Sequence, residues 1–299
     1  MHIAVVTTSW PSSEDDPDGH FVRAHARWLE RAGHVVTVMA PPKGGAFGGP
    51  GVAARVRARP HRMWDAARWT LEARRRVARL AVDRVIAHWA LPCGWPIATA
   101  SAAELGLVSH GGDVRLLLAL PSPVRLAVVD RLARRAVAWT FVSRALLEDF
   151  ERGLDGPRRA AVRRIARVEA MPLDLPDVTE AIARRRRDLG GARVAVCVGR
   201  LVGGKRVDSA IAHAAAMPDL DALVVVGDGP ERPRLERLAR RAALDVTFVG
   251  AVDRPDALAW IGAADVLLHA SEAEGLSTVV REAEALGTRV VRVESSRRR

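Results

Sequence analysis

Short apolar runs alternate with amphipathic segments along the whole chain, and this alternation constrains the fold more than any other feature of the sequence. Residues 2–7 read as a strand buried on both faces, and the stretch 9–18, full of Pro, Ser and Asp, as a loop. Gly19 opens a helix whose apolar stripe is Phe21, Ala24, Trp28 and Leu29; Gly33 ends it, and residues 35–39 form the next strand. The pattern repeats with helices expected at 63–82, 95–104, 124–135 and 143–151 and strands at 84–88, 107–109 and 139–142. A second series of strands starts at Val194 and continues at 222–226, 246–250, 265–269 and 289–293. Strands joined through helices run parallel, and a parallel sheet needs cover on both faces. The expected class is α/β with two doubly wound parallel-sheet domains, residues 1–175 and 193–299, joined by a linker at 176–192 that holds a short exposed helix.

Composition narrows the choice of partner. The net charge of +11 is concentrated in the first half: residues 1–175 carry 26 basic and 17 acidic side chains, the remainder 20 and 18. Such a half suits nucleic acid, anionic lipid or a phosphorylated substrate. Nucleic acid is disfavoured, because the chain has no tyrosine, only five phenylalanines for base stacking, and no zinc-ligand spacing. Cys93 and Cys197 stand alone in separate halves, which fits a reducing compartment and offers neither a disulfide framework nor a metal site. With no signal-peptide pattern at the start and no long apolar run, a cytoplasmic or peripheral location is expected. In the helix at 63–82, Trp64, Ala67, Leu71 and Ala78 share a face, with Arg68, Arg74, Arg75, Arg76 and Arg79, and Arg62 just before it, spread around the remainder. It reads either as an ordinary packing helix or, if exposed, as a surface for peripheral contact with an anionic membrane.

Candidate functional residues gather at strand ends, where parallel sheets bind ligands. His110, flanked by Gly111, Gly112 and Asp113, follows one strand. Arg200 follows another and leads into Gly203-Gly204-Lys205. Two cations beside glycines that expose backbone amides suit a diphosphate, and Lys205 is one of only two lysines among 46 basic residues. Glu274 and Glu282 are eight positions apart, about 12 Å on a continuous helix, too far for an adjacent acid/base pair. Gly275 argues instead for a loop, with a helix starting at Ser277 or Thr278 whose free amides face that loop. Two solvated glutamates on an amphipathic helix would give the same spacing. The dinucleotide fingerprint is absent from the first strand-helix turn, so no nicotinamide or flavin cofactor is expected.

Taken together, TTSWPSSEDDPDGHFVRAHARWLERAGHVVTVMAP, HWALPCG, SHGGDV, VGRLVGGKRVD, VVVGDGPER, VTFVGAV and EGLSTVVREAEALGTRVV resemble, in order, the motifs of GT-B glycosyltransferases of family 4. The resemblance covers nearly the whole chain. It implies two Rossmann-like domains facing a cleft, and transfer of a sugar from a nucleotide diphosphate donor to an acceptor glycan or lipid-linked glycan, with anomeric configuration retained and no catalytic metal. By the same resemblance, Arg200 and Lys205 would hold the diphosphate together with the amides of Leu276, Ser277 and Thr278. Glu282 would bond the ribose, Glu274 with Gly275 and His110 would meet the sugar, Gly19 would leave room for the donor, and Asp113 would lie on the acceptor side. Members of the family continue well past the strand at 289–293, where this sequence has only residues 294–299. A truncated second domain with an exposed apolar edge is therefore expected, and with it the alternative of a chain that binds a nucleotide sugar without efficient transfer.

Overall fold

A computed structural model describes residues 1–48, 52–271 and 276–293. They form two compact units, Met1–Pro172 and Leu173–Arg299. In the first, the elements run β1 (His2–Val6), α1 (His20–Arg31), β2 (Val35–Met39), α2 (Val52–Ala58), α3 (Met63–Arg79), β3 (Arg84–His88), β4 (Glu104–Ser109), α4 (Gly112–Ala119), α5 (Ser122–Arg135), β5 (Ala136–Phe141), α6 (Arg144–Arg152), α7 (Gly156–Ile165) and β6 (Ala166–Val168). The second holds α8 (Thr179–Asp188), β7 (Val194–Val198), α9 (Val207–Ala215), β8 (Ala222–Val226), α10 (Arg232–Ala239), β9 (Asp245–Gly250), α11 (Arg254–Ala263), β10 (Val266–His269), α12 (Thr278–Ala285) and β11 (Arg289–Arg292).

Each unit is one parallel sheet, ordered β2-β1-β3-β4-β5-β6 and β11-β10-β7-β8-β9. Burial follows position in the sheet. The inner strands β1, β3, β7 and β8 each bury four of their five residues, whereas the edge strands β2, β6 and β11 are half-buried or exposed along most of their length. This is why uninterrupted runs such as IAVV and VAVCV mark the centre of a sheet: with helices on both faces there is no polar side to alternate with. Under β5, Trp139, Phe141 and Phe150 pack with ring centroids 5.1–5.5 Å apart. The Trp139 Nε1–H donates to Ser109 Oγ at 2.9 Å, which ties this core to the end of β4.

Several expectations about helices change. Residues 95–104 are not a helix: Leu91 and Trp95, each preceding a proline, are extended, so irregular turns fill Ala90–Ile97 and Glu104 already begins β4. Helix α1 buries Val22, His25 and Leu29 and leaves Trp28 exposed, so a histidine takes the interior position expected for the indole. In α3 the contrast is sharper. Its buried residues are Ala73 and Val77, with Trp69 against Phe47 at 5.3 Å, while Trp64 and Leu71 are 71% and 49% exposed. The expected packing stripe faces solvent, together with Arg68, Arg74, Arg75, Arg76 and Arg79. The stretch read as a linker contains α8, which packs on α11. There Ile182 fills the space beside Gly262, Arg185 stacks 4.1 Å over the Trp260 ring and pairs with Asp256 at 2.8 Å, and Arg186 donates to the Gly262 carbonyl.

Candidate functional site

In a doubly wound sheet the exit loops of neighbouring strands diverge where the strand order reverses, and the crevice there receives ligands. In the first unit that point lies between β1 and β3. The loop after β1 is stapled from several sides: Thr7 Oγ1 donates to the Ser9 carbonyl, Asp16 accepts from Ser12 and Lys43, and Arg23, on α1, donates to the Ser13 and Glu14 carbonyls at 2.6 and 2.5 Å. It closes on Gly19, at φ +77°, where an added Cβ would lie 2.7 Å from the Ser9 carbonyl oxygen. Packing of this loop on itself is thus enough to require glycine.

Across the crevice three imidazoles stand in series. His25 Nδ1 lies 3.0 Å from His88 Nε2, and His88 Nδ1 lies 2.9 Å from His110 Nε2. The His88 and His110 rings stack at 13°, and Phe21 and Trp89 close around His110 with centroids 4.9 and 5.2 Å away. Burial among rings holds all three in the neutral form: His25 is pushed down to about 4, His88 well below its ordinary value, and His110 to about 3. Trp89 itself adopts φ +73°, held by its N–H bond to the Val108 carbonyl, a conformation that costs about 1–3 kcal/mol in a non-glycine residue.

Asp113, in the first turn of α4, is 2% exposed. Its Oδ2 accepts from the Ala90 N–H at 2.8 Å and from Ser109 Oγ at 2.7 Å; its Oδ1 accepts from the N–H groups of His110 and Gly111 at 3.1 and 3.2 Å. With four donors around it, the carboxylate clamps the β3 and β4 exit loops. Burial pushes its pKa up despite those donors.

In the second unit the order reverses between β7 and β10. Beyond β7, Gly199 takes φ +150°, Arg200 is exposed, and the turn Gly203–Lys205 brings the Lys205 Cδ, Cε and Nζ to within 3.7–3.9 Å of where a Gly199 Cβ would stand. The ammonium therefore lies back over the end of β7. Gly227, after β8, sits so close that a Cβ would meet the Gly199 carbonyl at 2.0 Å, and one on Gly229 would meet the Leu201 carbonyl at 2.4 Å. These glycines hold the β7 exit loop from the side. Beneath it the Cys197 thiol is pushed up to about 12 by burial, with Lys205 opposing, so it remains an inert core group.

The adjacent strand β10 ends at His269 and leads toward α12, with Ser277 at its N-cap and Leu276, Ser277 and Thr278 half-buried. Glu274 and Gly275 lie outside the described residues. Glu282, one turn into α12, is 5% exposed, and its Oε1 accepts from Arg254 Nη2 at 3.0 Å and Nε at 3.3 Å; Arg254 also donates to the Asp174 carbonyl at 2.7 Å. The fold thus places Arg200 and Lys205 at the exit of β7 and the start of α12 after its neighbour β10, with His110 in the other unit. Among the described residues, no group of three His, Cys, Asp or Glu side chains is arranged to hold a metal ion, and no helix is long and apolar enough to cross a membrane.

Comparison with solved structures decides the fold. Anabaena HepE in complex with UDP-glucose superposes with a TM-score of 0.68 at 18% identity, covering 97% of this chain and 79% of that one. Sucrose-phosphate synthase from Thermosynechococcus elongatus gives 0.61 at 20% identity over 97% and 80% of the two chains. The catalytic domain of starch synthase IV from Arabidopsis thaliana, bound to ADP and acarbose, gives 0.65 at 13% identity over 97% and 82%. The chain has the GT-B glycosyltransferase fold. Within it, residues 192–297 match the family described as glycosyl transferases group 1. No curated protein sequence matches the chain.

In this GT-B chain the residues missed by sequence reasoning are His25, His88 and Arg254. His25 and His88 carry no marker beyond their type, and one lies in a helix whose periodicity pointed to Trp28 as the inward residue. Arg254 is one arginine among many, next to the Asp253 that caps α11. A buried partner for Glu282 could be found only once α11 and α12 are seen side by side.

Proposed function

We propose that this chain is a retaining glycosyltransferase that moves a sugar from a nucleotide diphosphate donor to an acceptor hydroxyl, in the synthesis of cell-envelope polysaccharide or glycolipid. The observation that carries this reading is the pairing of Arg200 and Lys205 at the exit of β7 with the α12 N-terminus beyond its neighbour β10, inside the segment that matches the group 1 family. Departure of a nucleotide diphosphate concentrates negative charge on the leaving phosphate. Two cations and the amides of Leu276, Ser277 and Thr278 stabilise that charge where it develops. Glu282 bonds the donor ribose, with Arg254 fixing its carboxylate. Glu274 and Gly275 serve the sugar hydroxyls, and so does His110 as an uncharged hydrogen-bonding group. Attack by the acceptor from the leaving-group face, its proton passing to a phosphate oxygen, retains configuration without a carboxylate nucleophile, unlike the paired carboxylates of retaining glycosidases.

The exposed Trp64 and Leu71 among the α3 arginines support peripheral contact with an anionic membrane, where a lipid-linked acceptor would be met. Lys205→Ala tests the assignment. It should abolish sugar transfer and weaken binding of a nucleoside diphosphate, read by thermal shift, with the circular dichroism of the parent retained. Full transfer activity in that variant would sink the proposal, and nucleotide binding without transfer in the parent would point to a binding-only chain.

A further inference from the structure

We propose that His25 and His88 are positioning residues for His110, holding all three imidazoles in one shared tautomer. The inference rests on the reading of His110 as a sugar-contacting group of the transferase. Its basis is the direction of the two contacts, Nδ1 of His25 to Nε2 of His88 at 3.0 Å and Nδ1 of His88 to Nε2 of His110 at 2.9 Å. The chain is head to tail.

A neutral imidazole has one N–H and one lone pair, so two ring nitrogens bond only when one brings the hydrogen and the other does not. If His25 carries its proton on Nδ1, His88 Nε2 must be bare and the His88 proton sits on Nδ1. His110 Nε2 must then be bare as well, and the His110 proton is on Nδ1. Starting from the opposite tautomer, every ring carries its proton on Nε2. Three neutral rings in any mixed arrangement lose at least one of the two bonds, and a broken bond here leaves polar atoms on His88, which is fully buried, unsatisfied.

The surroundings favour neutrality. Phe21, Trp28 and Trp89 face the rings, and the carboxylate of Asp113 is occupied by its own four donors. Among the described residues nothing bonds the two end nitrogens, His25 Nε2 and His110 Nδ1. The outward nitrogen of His110 therefore offers either a hydrogen or a lone pair, and two histidines on other elements share in that choice. A sugar hydroxyl, both donor and acceptor, can be met in either state, and the switch between states moves one proton per ring with no change of net charge.

The test uses the full chain labelled with 15N-histidine, its nine histidines assigned by single substitutions, and the ring-nitrogen shifts read at pH 7. The rings of His25, His88 and His110 should report the same tautomer, or the same mixture of the two. In His25→Phe, which can neither donate nor accept, the His88 and His110 shifts should move. In His25→Gln, whose amide can do either, they should return toward the parent. Different tautomers among the three parent rings, or unchanged shifts in a folded His25→Phe, would overturn the proposal, and the parent spectrum decides the matter even where that variant does not fold. In the kinetic arm, loss of one hydrogen bond should lower kcat for transfer by about tenfold in His25→Phe. The donor KM should stay within about twofold, with recovery in His25→Gln; undiminished kcat in His25→Phe overturns the positioning role. A parent without transfer activity refutes the transferase reading, and the tautomer comparison then decides this inference by itself.

Discussion

Removing the Arg254 guanidinium while keeping Glu282 tests the interior of the second unit, because both side chains are only 7% accessible and they pair with each other at 3.0 Å. Arg254→Met preserves most of the apolar stem and removes the donors to Glu282 Oε1, at 3.0 and 3.3 Å, and to the Asp174 carbonyl, at 2.7 Å. Breaking a buried pair from one side usually costs about 3–5 kcal/mol, so Arg254→Met should destabilise the unit by about 4 kcal/mol at pH 7. Replacing both partners, as Arg254→Met with Glu282→Leu, should recover most of the loss, because neither position then carries a charge into the interior. Hydrogen exchange of the α11 and α12 amides reads this locally, without assuming that the two units unfold together. A loss below about 1 kcal/mol at pH 7 would refute the argument that this pair is an interior one.

Three further outcomes follow from the geometry. Gly227→Ala places a methyl 2.0 Å from the Gly199 carbonyl at φ +130°, so it should cost at least about 3 kcal/mol in thermal unfolding and weaken nucleotide binding through the displaced β7 loop; a variant with parental stability would contradict that packing. Trp64→Ser, at a position 71% exposed, should change stability by no more than about 0.5 kcal/mol while reducing co-sedimentation with anionic vesicles, and undiminished vesicle binding would remove α3 from any membrane role. His25 is held down to about 4 against 6.5 when free, so between those values the unfolded chain takes up a proton that the folded chain refuses. The unfolding free energy from urea titration should accordingly fall on acidification from pH 6.5 toward 4, by up to about 3 kcal/mol from this residue, and fall less in His25→Phe; equal declines in both would count against a buried neutral His25.

The sequence by itself located ten of the eleven strands found among the described residues, all but the short edge strand β6, and the order of the units. Continuous apolar runs need both faces covered, a requirement met almost wherever the sheet closes, and so β3 and β8 begin and end where the pattern places them. It also marked Arg200, Lys205 and the start of α12, because strand ends, glycine turns and helix caps are local chemistry. Helix faces were less legible. An amphipathic period shows that a helix has two sides without saying which one the sheet receives, and α3 turned Trp64 and Leu71 outward while burying Ala73 and Val77. The irregular turns before β4 were missed because the restriction that proline places on its neighbour outweighed helical periodicity. Only the tertiary structure decided the partnerships. His25, His88 and His110 are separated by 63 and 22 residues in sequence, and Arg254 and Glu282 by 28. A buried polar group must find its complement in space, and nothing in the local sequence of either member records which complement that will be.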